Sequence, residues 1–141
     1  MVLEGSGYIY STKPKKSLGQ HYLKDEKILR KIIRSLGLTV NEMSLERGAG
    51  HGELTYYLAQ QSRELYAVEI DPSSVVFLRE KLEPFHNVNI INGDILNFQS
   101  DIFFDLIVGN IPYYISGLLL GTLSERWQYK KAVFTLQKEV G

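Results

Sequence analysis

Three glycines at alternating positions, Gly48, Gly50 and Gly52, separate a short apolar stretch from a helical pattern. Glycine lets the backbone turn tightly between a strand and a helix and come close to a ligand. Glu69 ends the next apolar stretch, where a carboxylate can accept hydrogen bonds from both hydroxyls of a ribose. The turn therefore predicts a nucleotide-binding unit, although the turn alone is also compatible with loops that bind nothing.

Strand and helix patterns alternate along the chain after residue 24. Strands are predicted at residues 43–47, 64–70, 88–91, 104–108 and 132–136, and helices at about 25–36, 53–61, 72–82 and 115–127. Such alternation indicates an α/β fold with a doubly wound, mainly parallel sheet. We expect residues 1–12 to be a flexible N-terminal extension and residues 13–141 to be a partial domain. Its further strands would be missing, because the chain stops where another helix begins.

The composition narrows the class of protein. With 141 residues, 44% hydrophobic and 23% charged, the chain resembles one ordinary globular domain. No apolar stretch approaches the roughly 20 residues of a membrane span, and no secretory signal begins the chain. There is no cysteine, and the three histidines have no metal-ligand spacing. We expect a cytoplasmic monomer without a metal or a membrane partner.

Basic residues are concentrated at the N-terminus although the whole chain is formally neutral. The first 34 residues carry eight lysines and arginines against three acids. Lys13, Lys15 and Lys16 are candidates for contact with nucleic-acid phosphates. A solvated tail is the alternative, and charge alone does not decide between the two.

Asp94 follows the third predicted strand and should lie at the same sheet edge as Glu69. Ligands of doubly wound sheets bind outside the carboxyl ends of the strands. A carboxylate there could accept a hydrogen bond from the amino group of a bound adenine. Because Asp94 also follows Asn92-Gly93, an ordinary turn is the alternative. The presence of both carboxylates favours the binding site.

The tetrad Asn110-Ile111-Pro112-Tyr113 ends the fourth predicted strand and is the most specific motif. Pro112 fixes its own φ and biases Ile111 towards an extended conformation, which holds nearby carbonyls in fixed directions. The Asn110 side-chain oxygen and a backbone carbonyl can accept hydrogen bonds from an adenine N6 amino group. The Tyr113 ring can stack on the base. A strand-ending turn with packed tyrosines is the alternative.

These motifs together resemble those of the ribosomal RNA adenine dimethyltransferases, which include the KsgA type and the related Erm resistance enzymes. The resemblance covers residues from about 13 to the end of the chain. Its matching segments are Leu18–Leu23, Leu45–Gly52, Val68–Asp71, Gly93–Ile95, Asn110–Ser116 and Gln137–Val140.

The resemblance implies a Rossmann-like class I methyltransferase fold, with S-adenosylmethionine as the methyl donor. It further implies two successive methylations of an adenine N6 in small-subunit ribosomal RNA near its 3′ end, during ribosome biogenesis. Catalytic roles would fall to the Asn110–Tyr113 tetrad. The positions that the resemblance assigns to the cofactor are His21, Leu23, Gly48, Gly50, Gly52, Glu69, Asp94 and Asn110.

Three alternatives stay open from the sequence. An Erm-like enzyme would act on large-subunit ribosomal RNA. A non-catalytic RNA-binding or assembly factor could keep the fold, since Arg47 stands in the glycine motif where an aliphatic residue is usual. A nicotinamide-dependent oxidoreductase would use the glycine turn but leave the Asn110–Tyr113 tetrad unexplained. By position alone, His21 would be a surface or capping residue.

Overall fold

The computed structural model describes residues 3–4, 8–12, 30–31, 33–34, 36–37, 41–112 and 127–137, with the backbone alone at 3–4, 8–12, 110–112 and 135–137. These residues contain seven strands, two α-helices that are described from end to end, and a 3₁₀ turn. Residues 30–31, 33–34 and 36 are also helical and belong to the helix predicted at about 25–36. The strands are β1 (Leu3–Glu4), β2 (Tyr8–Thr12), β3 (Glu42–Arg47), β4 (Ser62–Glu69), β5 (Val88–Asn92), β6 (Phe103–Pro112) and β7 (Gln128–Gln137). The helices are α1 (Glu53–Gln61) and α2 (Pro72–Lys81), and the 3₁₀ turn is Ile95–Asn97.

Five parallel strands form the body of the sheet in the order β7-β6-β3-β4-β5. The chain moves outward from β3 through β4 to β5, returns to the other side of β3 as β6, and continues to β7. The order therefore reverses between β3 and β6, which confirms the prediction of a doubly wound parallel sheet. In such sheets the crevice at this reversal, outside the carboxyl ends of the strands, receives the ligand.

Two short strands from the predicted N-terminal extension pair with β7. Strand β1 runs antiparallel to β7, and β2 runs parallel to it. The sequence pattern did not predict them, because pairing at a sheet edge depends on the backbone groups that β7 offers rather than on side-chain periodicity. The domain boundary at residue 13 remains a prediction.

The central strands are apolar on both faces because helices and loops cover both sides of the sheet. One face packs around Leu45, Phe104 and Phe134. The other face packs against α1 through residues such as Leu58 and Leu65. Packing on both faces of the sheet thus fixes β3, β4 and β6, whose carboxyl ends lie at the same end of the sheet.

The start of α2 follows from its local sequence. Asp71 lies at the N-cap, where its Oδ1 accepts a hydrogen bond from the backbone N–H of Ser73 at 3.0 Å. Pro72 occupies the first turn, where its missing N–H removes no helical hydrogen bond. The Ser73 hydroxyl also donates a hydrogen bond to Oδ1, and this bond, followed by the one from the Ser73 N–H, holds the pKa of the Asp71 carboxyl below its usual value. The predicted cap is confirmed.

Strand β6 is longer than the apolar run that predicted it. Its pairing with β7 continues through Pro112, opposite Gln137, so Asn110, Ile111 and Pro112 belong to the strand. Backbone pairing with β7 extends β6 beyond residue 108, where the local turn signals predicted its end. The predicted helix at 115–127 falls almost wholly outside the described residues.

Candidate cofactor and substrate site

The glycine turn between β3 and α1 adopts the left-handed conformation that its sequence suggests. Gly48, Gly50 and Gly52 have φ angles of 69°, 58° and 84°, where residues with a Cβ are strained. A Cβ on Gly52 would lie 2.8 Å from Cδ2 of Leu78. The third glycine is therefore needed for its conformation and for the close approach of α2.

Glu69 connects the end of β4 to this turn. Its Oε1 accepts a hydrogen bond from the backbone N–H of Gly50 at 2.7 Å, and its Oε2 accepts one from the N–H of Asp71 at 2.8 Å. The side chain is buried. Because each carboxylate oxygen has two lone pairs, both oxygens keep the capacity to accept from a ligand hydroxyl. The predicted ribose contact is compatible with this arrangement and stays a prediction.

A cavity opens at the carboxyl ends of β3, β4 and β5, and it brings three predicted cofactor residues together: Gly48, Glu69 and Asp94. The remaining residues that line it are Arg47, Val68, Ile70, Gly93 and Ile95. The sequence interpretation did not assign these five to the site. The sequence did contain a signal for Ile70. An apolar side chain directly after the carboxylate that ends a strand lies beyond the buried core, so it is available to contact a ligand.

Asp94 sits at the start of the 3₁₀ turn. Its Oδ1 accepts a hydrogen bond from the backbone N–H of Leu96 at 3.0 Å. This capping contact is the turn role that the sequence left open as an alternative. Asp94 nevertheless lines the cavity with Glu69, so its predicted contact with a ligand is compatible with the turn role and stays a prediction.

Glu46, on β3 beneath the turn, is a buried acid. Burial in the apolar core, with smaller effects from Glu69 and Glu53, raises its pKa from 4.5 to about 8. The Thr55 hydroxyl on α1 donates a hydrogen bond to its Oε1 at 2.5 Å and partly opposes that rise. Burial therefore favours the protonated, neutral form of Glu46, which reduces the negative charge beside Glu69.

The tetrad begins beside the glycine turn. Gly109 pairs with Arg47, and a Cβ on Gly109 would lie 3.0 Å from the Arg47 carbonyl oxygen. The missing side chain thus lets β6 approach β3 closely, one residue before the turn. The backbone of Asn110 follows directly at the same sheet edge.

Several predicted site residues lie outside the described part of the chain. These are Lys13, Lys15, Lys16, His21, Leu23 and Tyr113, together with the side chains of Asn110, Ile111 and Pro112. Their roles remain predictions. Among the described residues, no group of three potential metal ligands occurs, and no helix is long and apolar enough to cross a membrane.

The reversal of strand order, the glycine turn and the carboxylate at the end of β4 define the Rossmann-like fold of class I S-adenosylmethionine-dependent methyltransferases. Solved methyltransferases support this class: the chain superposes with a TM-score of 0.69 on the 23S rRNA methyltransferase ErmE (33% identity, 77% of this chain, 44% of that chain). The family model for ribosomal RNA adenine dimethylase matches residues 11–141. The chain belongs to this family, which confirms the predicted resemblance.

Other relatives agree with this assignment. Ribosomal RNA small subunit methyltransferase A of Thermotoga petrophila is 39% identical over 132 residues, which cover 94% of this chain and 50% of the relative. The protein of the same name from Syntrophus aciditrophicus is 37% identical, with 93% and 50% covered. A dimethyladenosine transferase from Plasmodium falciparum superposes with a TM-score of 0.67 at 28% identity, covering 72% of this chain and 38% of that chain. The chain spans about half the length of the curated relatives it matches.

Proposed function

We propose that this protein transfers methyl groups from S-adenosylmethionine to an adenine N6 in small-subunit ribosomal RNA, twice in succession and near the 3′ end of the RNA. The observation that carries this proposal is the pairing of Gly109 with Arg47. It sets the backbone at the start of the Asn110 tetrad beside the glycine turn, so a cofactor and a target base bound there would lie next to each other.

The residues around the cavity fit the cofactor. Glu69 would accept from the ribose hydroxyls, and Asp94 from the adenine amino group. Ile70 and Ile95 line the same cavity and provide apolar surface for the flat adenine ring. Gly48 and Gly50 allow close approach of the backbone. His21 and Leu23 would complete the site by the family resemblance.

Bound S-adenosylmethionine supplies a methyl group that its sulfonium already activates, so the protein needs no strong general base. The Asn110 side chain and a backbone carbonyl of the tetrad would accept hydrogen bonds from N6 and direct its lone pair towards the methyl group. The Tyr113 ring would cover the base. The catalytic contribution is then mainly orientation of two reactants in line.

An adenine inside folded RNA cannot reach this edge, so it must be extruded from its stack. Helical RNA offers little sequence information to side chains, so recognition would depend on RNA shape and phosphate contacts. Lys13, Lys15 and Lys16 would supply some of those contacts. The partner is then a small-subunit precursor, and the setting is ribosome assembly in the cytoplasm.

A large-subunit substrate is the second candidate, favoured by the structural similarity to ErmE. The small subunit is preferred because the curated relatives at 34–39% identity carry small-subunit names. A non-catalytic assembly factor is the third candidate, and it predicts RNA binding without methyl transfer.

Binding and transfer are tested separately. Calorimetric titration should show binding of S-adenosylmethionine and none of NAD, and the reverse would contradict the proposed cofactor.

Undermethylated small and large subunits are then incubated with radiolabelled cofactor, and nucleosides are identified by mass spectrometry. We expect dimethyladenosine in the small subunit only, and none with Asn110→Ala. Label in the large subunit would favour the Erm-like alternative, and binding without transfer would favour the assembly factor.

A further inference from the structure

The end of β4 carries Glu69 and Ile70 into the cavity, and these two residues are held in different ways. Glu69 is buried and anchored through its carboxylate. The Ile70 side chain is 62% exposed, so packing within the described residues does little to fix its position. The position of Ile70 therefore depends on its backbone.

Asn92, the last residue of β5, provides that backbone constraint. Its Nδ2 donates hydrogen bonds to the carbonyl oxygens of Glu69 at 3.0 Å and Ile70 at 3.1 Å. The Glu69 carbonyl also accepts from the backbone N–H of Gly93 at 3.0 Å. The Asn92 side chain thus continues the pairing of β4 with β5 for one residue beyond the last pair in the register, Glu69 with Asn92.

We propose that Asn92 is a positioning residue for the cofactor, because its side-chain amide fixes the Glu69–Ile70 segment in the direction that the adenosine half of the ligand requires. This inference rests on the proposed function in one respect, namely that the cavity binds an adenosine-containing methyl donor. Asn92 itself is not among the residues that line the cavity, so it acts through Glu69 and Ile70 and need not touch the ligand.

The same strand region contains a matched control. Asn87 also donates two hydrogen bonds from Nδ2, to the carbonyl oxygens of Ala59 at 2.8 Å and Ser62 at 2.9 Å. These carbonyls lie at the end of α1 and the start of β4. They are therefore near the amino-terminal end of β4, whereas the cavity lies at its carboxyl end. Replacement of either asparagine removes two hydrogen bonds of the same kind, but only Asn92 holds the cavity wall.

The test compares Asn92→Ala, Asn92→Leu and Asn87→Ala in the full chain. Each variant is titrated with S-adenosylmethionine and with methylthioadenosine, which lacks the amino-acid part. Two hydrogen bonds with a net value of about 1 kcal/mol each would allow up to about 30-fold weaker binding, and we expect about tenfold for both ligands with both Asn92 variants. Asn87→Ala should lower Tm while leaving both affinities within about twofold of the wild type.

The outcomes separate this inference from the proposed function. A wild-type chain that binds neither ligand overturns the proposed function. A wild type that binds while the Asn92 variants bind equally well overturns the positioning role. Equal losses in Asn87→Ala, or failure of both Asn92 variants to fold, would show that Asn92 acts on the fold as a whole and would also overturn it.

Discussion

The Glu69 carboxylate and the backbone N–H of Gly50 are joined by a hydrogen bond of 2.7 Å. The two residues are 19 positions apart, on two of the three segments that surround the cavity. Because the other oxygen of the same carboxylate binds the N–H of Asp71, one side chain sets the relative positions of the glycine turn and the start of α2. The residue predicted to hold the ribose therefore also builds the site.

Replacement of Glu69 by glutamine should affect both its predicted contact with the ribose and its hydrogen bonds to the glycine turn and the start of α2. A glutamine oxygen can accept from Gly50 or Asp71, but its amino group would then face the other N–H donor. Charge-assisted hydrogen bonds contribute about 1.5–3 kcal/mol, so we expect at least about tenfold weaker binding of S-adenosylmethionine by calorimetry. Hydrogen exchange at the Gly50 amide should accelerate in the ligand-free variant. Unchanged exchange would contradict the structural role.

The second prediction concerns the space beneath the glycine turn. Gly50→Ala and Gly52→Ala both place a Cβ at positive φ, which costs about 1–2 kcal/mol. Only the Gly52 substitution also meets Leu78 at 2.8 Å, while Gly50 has its nearest neighbour at 3.9 Å. Leu78 is fully buried, so its displacement would disturb the packing around it, and Gly52→Ala should cost about 1–3 kcal/mol more than Gly50→Ala in urea unfolding. Equal losses would mean that α2 shifts without cost.

Stability should depend on pH through Glu46. Its pKa is about 8 in the folded chain and near 4.5 when unfolded. Between these values the unfolded chain has released the proton while the folded chain retains it, so stability falls as pH rises from about 4.5 to about 8. Glu46→Gln keeps an acceptor for Thr55 and removes the titration. We therefore compare the unfolding free energy of Glu46→Gln with that of the wild type at each pH. The difference in favour of the variant should be a few kcal/mol larger above about pH 8 than below pH 4.5. Urea unfolding at both extremes measures this, and a pH-independent gain would refute it.

Ile70 should affect ligand binding without affecting stability. Its side chain is 62% exposed in the ligand-free chain, and Val76 on α2 is similarly exposed at 61% but lies outside the cavity. Ile70→Ala should leave Tm within about 2 °C of the wild type, as expected for an exposed site. It should weaken S-adenosylmethionine about tenfold through lost apolar contact. Val76→Ala should change neither value, and a loss of affinity there would place the ligand elsewhere.

Much of the fold could be predicted because its signals are local. The glycine turn, the Asp71-Pro72 cap and the bounds of α1 follow from residues close in sequence, and the structure has them where the patterns predicted. The carboxylates at the ends of β4 and β5 could be placed together because parallel strands end at one edge. The sequence patterns did not predict β1 and β2, nor the last residues of β6, because these segments owe their strand conformation to pairing with β7.

The sequence by itself determined the class of this protein, because motif identity and spacing specify a strand, a glycine turn, a helix and the carboxylates at the sheet edge. Tertiary structure alone decided how these parts hold one another. The Glu69 carboxylate bonded to Gly50, the Asn92 amide spanning two carbonyls and the buried, neutral Glu46 all depend on distances between segments that the sequence separates. Hydrogen bonds and burial act through space, so no local pattern encodes them.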